Sequence, residues 1–144
     1  SMALVQGGLI RLVIPRLGEH RTVIVGFTIN ILAFTVYALA TDGWQIFALA
    51  PITSLGIIAG PALQGIMSRT ASDDQQGELQ GVLTSISAIA IIISPLLMTN
   101  TFSYFTRAGT PLYFPGAPFV LSAGLVLLSL LVFAGRRRLS QPAE

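Results

Sequence analysis

Four long stretches of this chain carry no Asp, Glu, Lys or Arg: residues 22–41, 43–68, 79–106 and 108–135. Each is at least as long as the roughly 20 apolar residues that a helix needs to cross a ~30 Å hydrocarbon layer. One or two such runs can be buried core helices. Four in 144 residues cannot, because a small domain lacks the interior to hide them. Only 10% of the residues are charged and 53% are hydrophobic, against about 25% charged in an ordinary soluble domain. The mean hydropathy is +0.77. These features predict an all-α membrane protein. Backbone groups in lipid must be satisfied within the structure, which leaves helices or closed barrels. "IAIIISPLL" and "SLLVFAG" lack the apolar–polar alternation of barrel strands.

The expected spans are 22–41, 44–68, 79–106 and 117–135. The last starts late because "AGTPLYFPGAP" holds three prolines and reads as a loop. Residues 3–14 form a shorter apolar piece, too short to span, which reads as the final turns of a helix. Ser1 and Met2 read as the remnant of an expression tag, and 139–144 as a polar tail.

Between the piece at 3–14 and the first full span lies a dense knot of charge, "PRLGEHR" at 15–21. Arg11, Arg16, Arg21, Arg69, Arg136, Arg137 and Arg138 collect on one side of the predicted topology, and Arg107 alone on the other. Arginine excess marks the cytoplasmic face. Loops 15–21 and 69–78 and the C-terminus are therefore expected in the cytoplasm. "TDGW" and the Pro-rich loop face outward, with Trp44, Tyr104 and Tyr113 near the outer boundary.

Finer features set local expectations. "SDDQ" at 72–75 fits a helix N-cap with a Gln three residues on, so a short helix should begin near Asp73 and lead into the third span. Pro51, Pro61 and Pro95 lie inside spans and should kink them. Gly56 with Gly60, and Gly77 with Gly81, have the spacing that lets helices approach closely; simple packing or general glycine abundance is the preferred account of them.

Nothing in this pattern predicts an enzyme. There is no cysteine, and one histidine, His20, sits in the charged knot, so neither a thiol nor a His-based metal site is expected. No cofactor is implied. "DDQQGE" reads as a solvated loop. The arginines are dispersed at segment ends and form no patch of the kind nucleic acid needs. Polar residues inside spans are costly and usually face a bundle interior or pathway. Asn30 and Gln64 are the candidates for a substrate pathway. For Asn30 an interhelical hydrogen bond is the equal alternative. Gln64 lies about a turn from Arg69, near the interface.

"GGLIRLVIPRLGEHRTVIVG" resembles the cytoplasmic loop motif of the major facilitator superfamily, with Arg16, Gly18 and Arg21 on the pattern. Pro15 stands where that motif usually has an acid, and Glu19 and His20 depart from its basic pair, as suits the weaker, C-terminal copy. "GIIAGPALQGIMSR", then "QQGELQGVLTSISAIAIIISPLL", is similar in content and order to the tetracycline-efflux branch. "TDGW" and "YFPGAPF" also match it, and the resemblance covers residues 3–138. It implies the C-terminal part of a twelve-helix fold, with 3–14 ending helix 8 and the four spans forming helices 9–12. It further implies drug export coupled to protons in the intact protein, in the inner membrane. The partners would be the lipid bilayer, the N-terminal half of the transporter, and an amphipathic small-molecule substrate with protons. Asn30 occupies the place where the branch usually carries an aspartate, four residues after Gly26. An amide cannot take up and release a proton, so if the intact protein is proton-coupled the titrating acid would have to lie in its N-terminal half. Transport of another small solute, a four-span oligomeric exporter, or a non-transporting membrane fragment that assembles with another chain are the alternatives.

Overall fold

The computed structural model describes residues 18–139. The tag remnant, the partial span 3–14, Pro15, Arg16 and Leu17 of the knot, and residues 140–144 of the tail lie outside the described residues. Five α-helices follow one another: α1 (Glu19–Leu39), α2 (Gly43–Gly56), α3 (Ala59–Thr70), α4 (Gln76–Thr106) and α5 (Ala117–Leu139), with a short 3-10 turn at Asp73–Gln75. Among the described residues, four helical segments are long and apolar enough to cross a membrane: Glu19–Leu39, Gly43–Thr70, Asp73–Thr106 and Ala117–Arg136. The chain is an all-α, multi-pass membrane protein segment.

The ends of these helices follow from local chemistry. α1 begins three residues before the uncharged run, at Glu19, because a carboxylate in a first turn faces unpaired N–H groups and the positive end of the helix dipole. Gly18 precedes it at φ +78°, a conformation that costs glycine little. Its carbonyl accepts from both the backbone N–H and the hydroxyl of Thr22, at 3.0 and 2.8 Å. Between α1 and α2, the Gln45 side-chain oxygen accepts from the backbone N–H groups of Thr41 and Asp42, at 3.0 and 3.4 Å.

A short helical turn begins at Asp73 after Ser72 and leads into α4, as the "SDDQ" pattern implied, but without the capping bond. Ser72 makes no side-chain cap hydrogen bond. The polar work at this corner passes to Gln76, which is near the last carbonyls of α3. Its amide donates to the carbonyls of Ser68 and Ala71 at 2.6 and 3.2 Å, and its oxygen accepts from the Ser68 hydroxyl at 3.0 Å. Those carbonyls have no partner within α3, so satisfying them outweighs capping the new helix.

α1 is the hub. It packs against α2, α3 and α5, whereas α4 leans chiefly on α5 and buries no residue. Glu19, Val23, Gly26, Asn30, Ala33 and Tyr37 recur at alternating steps of four and three, the spacing of one helix face. Along that face Glu19 meets Arg69, Asn30 meets Gly56 and Tyr37 meets Thr53, so α1 runs antiparallel to the α2–α3 span. Against α5, His20 meets Phe133 and Tyr37 meets Phe119, each pair with ring centroids 5.6 Å apart.

The buried apolar side chains are mostly small: Val23, Ala33, Ala38, Ile58, Ala59, Ala62, Ala117 and Ala123. This is the packing that lipid demands. Lipid tails are as apolar as leucine, so burying large side chains brings helices no hydrophobic gain. Close backbone approach and interhelical hydrogen bonds hold them instead. A Cβ on Gly26 would stand 2.7 Å from the Ala59 Cβ and 3.0 Å from its backbone nitrogen, so only glycine lets α1 and α3 come this near. The paired-glycine expectation is met at one residue: Gly56 has Asn30 pressed against it, while Gly60, Gly77 and Gly81 have open space where a Cβ would be.

Candidate functional site

The second span is one apolar run in sequence, but its α-helical hydrogen bonding is interrupted at Ile57 and Ile58, which keep helical dihedrals. α2 ends at Gly56 and α3 begins at Ala59. The cause is Pro61, whose ring nitrogen has no hydrogen to give the carbonyl four residues back. The Ile57 carbonyl takes the Gly60 N–H instead, at 3.2 Å, and the ordinary pattern resumes with Ala62 N–H on the Ile58 carbonyl at 3.3 Å. Pro51 and Pro95, by contrast, lie within unbroken helices.

Asn30 stands at this break. It is half-buried, and its side-chain amide donates to the Gly56 carbonyl at 3.2 Å. Of the two roles open to it in sequence, the observed contact is the interhelical hydrogen bond. Gln64 lies beyond the break on α3 and is exposed. Its amide donates to the side-chain oxygen of Gln80 on α4, at 3.5 Å. Asn30 and Gln64 thus have separate partners on separate faces. Sequence reasoning passed over Gln80, which sits inside the quoted "QGELQG" and carries the only amide on α4 within reach of Gln64 among the described hydrogen bonds.

The charged knot has a partner that sequence reasoning also missed. Arg69, at the end of α3, is 3.2 Å from the Glu19 carboxylate. Glu19 is only 17% exposed and Arg69 is 79% exposed, so the acid is held in the interface while the guanidinium reaches it from water. Gly65 makes the room: a Cβ there would come 2.9 Å from the Glu19 oxygen. The four-and-three spacing that begins at Glu19 was the signal that this acid faces the bundle. Gly18 and Arg21 of the loop motif flank it, with Arg21 exposed at the helix start.

An open cleft of about 770 Å³ lies at this same end, between α1, α3, α4 and α5, with His20, Ile66, Met67, Glu78, Val82 and Phe133 on its walls. Among the described residues no group of three or more His, Asp or Glu side chains is placed to hold a metal ion.

The chain is similar to tetracycline resistance proteins, as its motifs implied. It is 35% identical to the class C protein of Escherichia coli over 115 residues, 80% of this chain and 28% of that protein. It is 39% identical to the class G protein of Vibrio anguillarum over 88 residues, 61% of this chain and 22% of that protein. A human relative, hippocampus abundant transcript-like protein 1, is 29% identical over 141 residues, 88% of this chain and 28% of the relative. The chain therefore spans about a quarter of the length of the curated relatives it matches. No family model matches the chain, and no solved structure does.

Proposed function

We propose, from its similarity to the tetracycline resistance proteins, that this chain is the C-terminal part of a major facilitator transporter that exports a tetracycline-like or other amphipathic drug, coupled to protons. The observation that carries this reading is the 35% identity to the class C protein over 80% of the chain. Four membrane-length helical segments in a 144-residue chain support it, since transporters of this kind place their sites between helices near the bilayer midplane. In this reading the chain lies in the inner membrane, with the 15–21 and 69–78 loops and the C-terminus in the cytoplasm. The arginine bias supports that sidedness. So does the packing, which draws Glu19, Arg69 and Phe133, just before Arg136, to one end of the bundle. The N-terminal half of the transporter would cover the exposed face of α4, and Gln64 with Gln80 would offer amide hydrogen bonds to the substrate. No enzymatic step is part of this function.

Expression of the intact protein in a drug-sensitive host tests it. Raised resistance to a tetracycline, with drug accumulation falling only while the proton gradient is intact, is the expected result. Unchanged resistance to every drug tried would sink the export reading. A second reading, transport of another small solute, is favoured by Asn30 standing where an acid would serve proton coupling. Uptake or release of a non-drug solute by the same reconstituted protein would select it.

A further inference from the structure

We infer that Asn30 is a positioning residue for the broken span: its side-chain amide supplies the hydrogen bond that Pro61 indirectly takes from Gly56, and so holds the hydrogen-bond break that precedes Gln64. In an unbroken helix the Gly56 carbonyl would accept from the Gly60 N–H. Pro61 has no N–H for the Ile57 carbonyl, and Ile57 claims the Gly60 N–H at 3.2 Å. The Gly56 carbonyl is left over. Gly56 is buried, so an apolar environment would make an unpaired carbonyl expensive. The Asn30 amide meets it at 3.2 Å. The fit is steric as well as polar, because a Cβ on Gly56 would collide with the Asn30 amide. Gly56, Pro61 and Asn30 thus form one device: the proline opens the span, the glycine admits the neighbour, and the asparagine closes the bond.

Two consequences follow. Position 30 needs a hydrogen-bond donor of asparagine's reach, so its polarity is explained without substrate contact. The orientation of α3, and with it Gln64 and the Glu19–Arg69 pair, depends on a bond made from α1. The link to Gln64 rests on the transport reading above; the hydrogen bond and its dependence on Pro61 do not.

The test uses the intact protein in lipid nanodiscs and reads backbone hydrogen exchange across residues 56–63, which needs no substrate. Asn30→Ala should raise exchange there by roughly three- to thirtyfold, the range that one interhelical hydrogen bond supports, while exchange in 117–135 stays unchanged. Gly56→Ala should do the same by displacing Asn30. The decisive arm is Pro61→Ala. It returns an N–H to the Ile57 carbonyl and frees Gly60 for Gly56, so Asn30→Ala added to Pro61→Ala should have little further effect. If Asn30→Ala does not accumulate, recovery of folded protein by Pro61→Ala is the same prediction. Equal damage from Asn30→Ala in both backgrounds, or no rise in exchange in the single variant, overturns the inference. Loss of drug export with the exchange pattern intact would count against the transport reading alone.

Discussion

α1 and α4 are both long, apolar, membrane-length helices, yet they stand in opposite places. α1 buries Thr22, Val23, Gly26, Ala33 and Ala38. α4 is ten residues longer and buries none. Hydropathy therefore does not decide which helix is central. Small side chains at four-and-three spacing do, because contact between helices in lipid comes from close approach and from hydrogen bonds across the gap. α4 has small residues too, among them Gly77 and Gly81, but among the described residues no neighbour meets them.

Substitutions at matched glycines break this comparison most sharply. Gly26→Leu pushes a side chain into the backbone and Cβ of Ala59 and should cost about 1–3 kcal/mol or more, the range for overpacking. Gly81→Leu, with open space around it, should stay within about 0.5 kcal/mol. Thermal unfolding of the detergent-purified chain would show both. A large loss from Gly81→Leu that appears only in the intact protein would show that α4 has a protein neighbour there.

Asn30→Leu comes next. It leaves the Gly56 carbonyl unpaired and should cost about 1–3 kcal/mol by the same assay. Asn30→Asp can donate only while its carboxyl is protonated, so its stability relative to the unsubstituted chain should fall as pH rises. No charged side chain of α2, α3 or α5 lies at this level; Arg69 and Arg136, like Asp42 before α2, sit at segment ends. A pH-independent Asn30→Asp would argue against the donor requirement. Gln76→Ala removes the donor to two carbonyls at the end of α3 and should cost about 1 kcal/mol. The smallest effect belongs to Glu19→Gln. Arg69 is mostly in water, so the pair should contribute less than about 1 kcal/mol and weaken further as salt is added.

Much of the architecture was legible in residue order. Four uncharged runs predicted four crossings, and the helices found match them to within a few residues at most ends. The loop rich in proline ends where α5 begins, at Ala117. The candidate site was less legible. Asn30 and Gln64 stood out because amides are rare in apolar runs, but their partners are a backbone carbonyl and a second glutamine. A carbonyl is present at every residue, so no sequence pattern marks the one that a distant proline has freed. Glu19 likewise looked like one charge among several in the knot, and only the approach of α3 makes it the acid that Arg69 meets.

The sequence by itself determined that this chain is helical and crosses a membrane, because long uncharged runs leave lipid-exposed backbone no other way to pair. It also determined, through its ordered motifs, the resemblance to tetracycline resistance proteins. Only the tertiary structure decided which of the four spans is the hub and which carbonyl the Asn30 amide meets. Those outcomes depend on which backbones come within a few ångströms of each other, and hydropathy, being a property of single segments, does not encode pairwise distance.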